Sequence, residues 1–180
     1  MTRAASILLG VSAGLDRGCR FLAKAALIGM VLVVTLQIVA RYGLRAPPVW
    51  TEELARYLMV WGGLLGATLA FRRGADPVIA SPVETDGSTV ALAAKLAIAA
   101  TTLIFIAPIL YYSLFAPGFD FSRGFMMRSS ARTSPGLGIN LAFVAAAIPT
   151  CCAILLIHLA ARLVGGPLAT NSGEHAPHQR

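Results

Sequence analysis

Charged side chains are scarce in this 180-residue chain, because Asp, Glu, Lys and Arg make up only 13% of it. Soluble domains carry about 25% charged residues, since a soluble chain needs polar side chains to cover its core. Hydrophobic residues make up 57%, and the mean hydropathy is +0.73. These proportions exclude an ordinary soluble domain and an unfolded chain. At about 20 apolar residues per crossing, they predict an all-α integral membrane protein with four transmembrane helices.

The sequence also lacks acidic residues in the middle of its apolar runs. Its eight acids are Asp16, Glu52, Glu53, Asp76, Glu84, Asp86, Asp120 and Glu174. All of them fall at predicted helix ends or in loops, whereas a transporter that moves a charged solute by itself needs ionisable groups near the bilayer midplane. A carboxylate pair, a nucleophile beside a base and a phosphate-binding glycine loop are missing too. The pattern favours a subunit of a larger machine, not an enzyme, and offers no catalytic residue.

Cysteine is equally sparse, with three residues in the chain. Cys151 and Cys152 are adjacent within an apolar run and Cys19 stands alone, so neither a redox pair nor a zinc pattern is present. The net charge of +7 comes from basic residues at the ends of apolar runs, unlike the basic face of a nucleic-acid-binding protein. The sequence thus indicates no metal, no cofactor and no nucleic-acid partner, and it indicates membrane lipids as the surroundings.

Four apolar runs predict the membrane-spanning helices, over residues 21–42, 53–71, 89–115 and 139–164. We expect residues 1–180 to form a single membrane domain, with a retained amphipathic segment before helix one and a polar, disordered tail over 165–180. The loop between helices three and four mixes aromatic residues with arginines, which predicts a segment lying along the membrane surface. If both termini are cytoplasmic, the cytoplasmic side carries modestly more Lys and Arg than the opposite side. This excess favours cytoplasmic N- and C-termini.

The start of helix two carries the most specific polar pattern. Thr51 is suited to capping this helix, and Glu52 and Glu53 place negative charge at its positive end. Capping alone would explain one of the two glutamates. The position of Arg56 one turn deeper, and of Arg41 at the same interface, suggests a further role. We hypothesise that either glutamate pairs with one of these two arginines and so fixes the corner between helices one and two.

Small residues repeat every four positions in helix two, at Gly62, Gly66 and Ala70. Such a stripe allows another helix backbone to approach closely. The approaching helix belongs either to the same chain or to another subunit, and the pattern is compatible with both.

The segment from Arg41 to Gly74 resembles a known family. It reads R-Y, a short loop with proline and tryptophan, then T-E-E-L-A-R-Y, a tryptophan-containing helix with a glycine, and a closing R-R-G. This order is similar to that of the small permease subunit (DctQ-like) of tripartite ATP-independent periplasmic (TRAP) transporters. The matching residues are Arg41, Tyr42, Trp50, Thr51, Glu52, Glu53, Leu54, Ala55, Arg56, Tyr57, Trp61, Gly66, Arg72, Arg73 and Gly74.

A weaker match lies near helix four, where Ser134-Pro135 precedes the helix and Ile148-Pro149 falls within it. The chain departs from the family pattern in two places. Ala75-Asp76-Pro77 follows R-R-G where the family often has a histidine, and Val49 separates the proline from Trp50.

The resemblance implies a complex with a large permease subunit and a periplasmic solute-binding protein in the bacterial inner membrane. Such a complex imports organic acids or related solutes with a sodium or proton gradient. The large subunit of the family carries the substrate and ion sites, and the small subunit braces it. The competing interpretation is a four-helix membrane assembly or regulatory protein unrelated to transport. The candidate structural or subunit-interface residues are Arg41, Trp50, Glu52, Glu53, Arg56, Trp61, Gly62, Gly66, Arg72 and Arg73.

Overall fold

The computed structural model describes residues 3–73 and 89–165, which are mostly helical. The helices are α1 (Arg3–Val39), α2 (Val49–Arg73), α3 (Thr89–Leu114), α4 (Phe125–Ser130), α5 (Ala142–Ala145) and α6 (Ala147–Gly165). A π-helical turn, Ala40–Leu44, extends α1, and a 3-10 turn, Phe121–Arg123, precedes α4. The segments long and apolar enough to cross a membrane are Ala5–Leu44, Val49–Arg73, Leu96–Leu114 and Ala142–Val164. The predicted fold class, all-α with four candidate membrane-spanning helices, is confirmed.

The first helix begins well before the predicted span 21–42, because the segment expected to precede it is a continuous part of α1. The inner face of α1 and its π-helical turn repeats every seven residues, at Ala5, Ser12, Cys19, Ala26, Val33 and Ala40. All of these are buried except Val33, which is half-buried. A seven-residue repeat keeps one face turned toward its neighbours along a whole helix, and small residues permit close contact.

A short connection containing Pro47 and Pro48 reverses the chain between α1 and α2. The π-helical turn ends at Arg45, which has a positive φ of 54° and donates its N–H to the Ala40 carbonyl. The two prolines have no N–H to continue a helix. As a result α2 returns antiparallel along α1, and these two helices form the most extensive contact of the fold.

The fourth membrane segment is divided into α5 and α6. Its start is set by Asn140, whose side-chain oxygen accepts the N–H of Ala142 at 2.8 Å. Pro149 lacks the N–H that would bond to the Ala145 carbonyl, and its ring crowds that carbonyl. The interruption between α5 and α6 therefore follows from the proline in Ile148-Pro149.

The core lies where α1, α2 and α6 meet, around Cys19, Leu65, Cys151 and Ile154. Helix α6 contacts α1, α2 and α3 and so stands at the centre of the bundle. The surface position of the loop between helices three and four stays a prediction. Gly74, the departure at Ala75-Asp76-Pro77 and the predicted tail from residue 166 onward lie outside the described residues.

Candidate functional site

Two polar side chains, Thr51 and Glu53, hold the N-terminal turn of α2 in place. Thr51 is fully buried, and its hydroxyl donates to the Pro48 carbonyl at 2.7 Å. The hydroxyl therefore donates where a capping hydroxyl would accept from the helix backbone. The expected capping role of Thr51 is replaced by a bond that fastens the first turn of α2 to the proline loop.

Glu53 is the central side chain of this region. One of its carboxylate oxygens, Oε2, accepts hydrogen bonds from the Ser134 hydroxyl, from the Gly136 N–H at 3.0 Å and from the Leu137 N–H at 3.1 Å. Charge-assisted hydrogen bonds of this kind are the strong ones in proteins. Glu53 thus connects α2 to a loop more than 80 residues away in sequence. We call this contact, formed by Glu53 with residues 134–137, the loop end of α2.

The loop has a backbone shape that presents its N–H groups to Glu53. It is closed by bonds from the Ser134 N–H to the Ile139 carbonyl at 2.8 Å and from the Gly138 N–H to the Ser134 carbonyl at 2.9 Å. Gly138 has a φ of +67°, a conformation that glycine adopts at little cost. A Cβ on Gly136 would lie 2.9 Å from the Glu53 carboxylate. Glycine at 136 therefore lets the loop backbone approach the carboxylate.

The hypothesis of an ionic corner between helices one and two is corrected by these contacts. Glu52 does pair with Arg56, at 3.1 Å, but both side chains are more than 60% exposed and belong to the same helix. Glu53 bonds to the loop instead of to an arginine. Among the ion pairs formed by the described residues, none includes the exposed Arg41. The sequence pattern located the right glutamates but not the partner of Glu53, because backbone N–H groups leave no residue-type signature.

The middle of α2 packs against the chain's own helices. A Cβ on Gly62 would lie 3.3 Å from the Ala26 side chain of α1, whereas one on Gly66 would meet nothing within 4 Å. Close packing within the chain thus accounts for Gly62 and not for Gly66. The ring of Trp61 lies 5.5 Å from that of Phe143, in the α5 segment. Trp50, at the first turn of α2, is partly exposed.

The C-terminal end of α2 carries a second polar contact. The Asp16 carboxylate of α1 has only 5% of its side chain exposed, and its Oδ2 pairs with Arg20 and, at 2.8 Å, with Arg72 of α2. The guanidinium carbon of Arg162, from α6, lies 5.7 Å from the centroid of the Phe71 ring. We call this region, formed by Asp16, Arg20, Phe71, Arg72 and Arg162, the arginine end of α2.

Sequence reasoning selected Arg72 and Arg73 but missed Asp16, which it placed before the first helix. The available signal was the Asp16-to-Arg20 spacing, a favourable pair on one continuous helix. Arg73 is exposed. One turn from Asp16, Ser12 and His158 share a buried hydrogen bond of 2.8 Å that joins α1 to α6. The arginine end thus joins α1 to α2 and lies close to a polar contact with α6.

The polar side chains at the two ends of α2 are engaged in contacts that join parts of the chain. Each carboxylate that joins separate elements, Glu53 and Asp16, has its partners within the chain. Within residues 3–73 and 89–165, three or more His, Cys, Asp or Glu side chains do not come together as a metal site would require. The arrangement is suited to fixing helices relative to one another.

Comparison with known proteins gives two matches. The family model of tripartite ATP-independent periplasmic transporters, DctQ component, matches residues 30–167. A Haemophilus influenzae protein that carries the provisional name TRAP transporter small permease protein is 39% identical over 57 residues. Those residues are 32% of this chain and 35% of that protein, so the match spans about a third of the relative's length.

Proposed function

Because the chain belongs to the DctQ component family of tripartite ATP-independent periplasmic transporters, we propose that it braces the large permease subunit of such a transporter. A brace needs helices that keep their positions while the partner moves. Glu53 fastens α2 to the loop that leads into α5, and Asp16 fastens the other end of α2 to α1. The observation that carries the proposal is this fastening of one membrane helix at both of its ends.

The proposed transport reaction belongs to the complex. A solute, of the organic acid class, is delivered by a periplasmic binding protein and imported by the large subunit with an ion gradient. In the proposal this chain contributes no group to the solute site, since its cross-linking carboxylates are already engaged within the bundle. We place the chain in the inner membrane of a bacterium as a single domain, with both termini cytoplasmic. Arg41, Trp50 and Gly66 are the proposed contacts with the large subunit that internal packing does not account for.

Co-purification tests the assembly. The tagged full chain is expressed together with a large permease subunit of a TRAP transporter from the same organism and purified in a mild detergent. We expect the two chains to elute as one species of defined ratio. A chain that elutes alone or only with itself would contradict the proposal and favour an assembly or regulatory role outside transport.

Transport measurements test the bracing role itself. Proteoliposomes that contain the large permease, its binding protein and this chain are compared with vesicles that lack this chain, with solute uptake driven by an imposed ion gradient. We expect uptake to require the chain while solute binding to the isolated binding protein stays unchanged. Equal uptake in both vesicle preparations would contradict a bracing role even where the two membrane subunits co-purify.

A further inference from the structure

The arginine end gathers cations from three helices. Arg72 and Arg20 meet on one carboxylate oxygen of Asp16, and Arg162 reaches the Phe71 ring beside them from α6. Arg17 and Arg73 are the sequence neighbours of Asp16 and Arg72, and both are exposed. The group therefore consists of Arg17, Arg20, Arg72, Arg73 and Arg162.

The arginine end carries an excess of positive charge. The ion pairs that its arginines form with other described residues all involve Asp16, whose one negative charge offsets a single arginine. Arg56 and Arg123, by contrast, each pair with an acid of their own, Glu52 and Asp120. By holding Arg20 and Arg72 on the same oxygen, Asp16 keeps two guanidinium groups close together and leaves each with further N–H donors. Paired guanidinium donors are suited to the oxygens of a phosphate group.

An apolar surface continues directly from the charged group. Phe21 and Leu22 follow Arg20 on α1, and their exposed fractions are 73% and 54%. A ligand that lies across this boundary therefore meets arginines at one end and a bare hydrocarbon surface at the other. A phospholipid has that chemistry, whereas a free phosphate matches the charged half only.

We propose that the arginine end binds the headgroup phosphate of an anionic phospholipid, with an acyl chain lying against α1 beside Phe21 and Leu22. The site needs only this chain and does not depend on the proposed transporter role. Arg17 and Arg73 strengthen binding by adding positive charge, while Asp16 positions the two arginines that it holds.

Native mass spectrometry of the full chain in a neutral detergent tests the site. The chain is titrated with phosphatidylglycerol and with phosphatidylcholine of the same acyl chains. The test variant combines Arg17→Gln with Arg73→Gln, which leaves the Asp16 ion pairs in place. Since an arginine near an anionic lipid surface changes affinity about fivefold, we expect phosphatidylglycerol binding to fall about 25-fold and phosphatidylcholine binding to stay unchanged.

The matched control combines Arg128→Gln, at an exposed position in α4, with Arg132→Gln, at an exposed position between α4 and α5, and so removes the same charge. We expect it to leave phosphatidylglycerol affinity at the arginine end within about twofold of the unmodified chain. Equal losses in the two double variants, or equal affinity of the unmodified chain for both lipids, would overturn the proposal. Displacement of phosphatidylglycerol by an equal concentration of inorganic phosphate would also overturn it, because the site would then recognise a free anion.

Discussion

The two ends of α2 are fastened by opposite means. At the loop end, a half-buried carboxylate is held by one hydroxyl and two backbone N–H groups. At the arginine end, a buried carboxylate is held by two charged side chains. The first contact depends on the shape of a loop, and the second depends on the charge of its partners. Substitutions that change charge without changing shape, or shape without changing charge, therefore separate the two.

The largest effect is expected from Asp16→Asn at the arginine end. The substitution removes a buried charge that pairs with both Arg20 and Arg72, and the loss of each hydrogen bond to a charged group costs about 1.5–3 kcal/mol. The free energy of unfolding is measured by unfolding the full chain in mixed micelles with increasing SDS. The matched control is Asp120→Asn, because that carboxylate is partly exposed and lies 3.6 Å from the largely exposed Arg123. Equal losses of unfolding free energy from the two substitutions would contradict the expected difference between the buried and the exposed carboxylate.

The next effect is expected from Glu53→Ala at the loop end. The substitution removes the acceptor shared by Ser134, Gly136 and Leu137, so the loop loses its connection to α2. We expect hydrogen exchange at the Gly136 and Leu137 amides to accelerate roughly tenfold or more, as the loss of a hydrogen bond to a charged group implies.

Glu52→Ala is the control for that experiment, since it removes a neighbouring glutamate whose pair with Arg56 is exposed. Exposed pairs of this kind contribute little to stability, so the same amides should exchange at an unchanged rate. Acceleration by both substitutions would show that negative charge at the helix start, and not the bonds of Glu53, holds the loop.

A smaller effect is expected from a change of shape alone, Gly136→Ala. The new Cβ would lie 2.9 Å from the Glu53 carboxylate and 3.2 Å from the Trp50 Cα, and such crowding costs about 1 kcal/mol or more. Gly63→Ala is the control, because a Cβ there meets nothing within 4 Å and alanine favours a helix. The same unfolding measurement should show a loss for the first variant and none for the second. An unchanged free energy of unfolding for Gly136→Ala would mean that the loop can move away from Glu53 without loss of stability.

The smallest effect is expected from pH at the turn before α4. The Ser122 hydroxyl, which donates to Asp120 at 2.6 Å, holds the pKa of that carboxyl below its usual value of 3.8. A lowered pKa in the folded state means that the stabilising contribution is present above pH 3.8 and is lost as the pH falls through the lower folded value. The protection factor of the Ser122 amide, which is the intrinsic exchange rate divided by the observed rate at the same pH, should decrease as the pH falls below 3.8. Asp120→Asn should remove this pH dependence, and its persistence would assign the effect to another group.

The long elements of the fold could be predicted from apolar runs and breaks. Pro47 and Pro48 separated α1 from α2, and the R-R-G motif marked the end of α2. The start of α1 was harder, because Asp16 and Arg17 resemble a helix boundary in an apolar chain. The structure shows that a charged residue can stay inside a long helix where a second helix supplies its counter-charge, as Arg72 does. That counter-charge is distant in sequence, so the pair is evident only from the folded structure.

The parts of the site that side chains of α2 form could be predicted from the sequence. The glutamates and arginines at both ends of α2 were visible as a pattern, and Glu52 with Arg56 followed from spacing alone. The partner of Glu53 did not, since two of its three hydrogen-bond donors are backbone groups of a loop. A contact made by the backbone depends on conformation, which the identity of residues 136 and 137 does not reveal.

The continuity of α1 has a geometric consequence. A helix of 37 residues rises about 55 Å at 1.5 Å per residue, whereas the hydrocarbon layer of a bilayer is about 30 Å thick. Even at a tilt of about 40°, the steep limit for membrane helices, α1 extends about 42 Å along the membrane normal. At least about 12 Å of this helix therefore stands among headgroups or in water at any tilt within that limit.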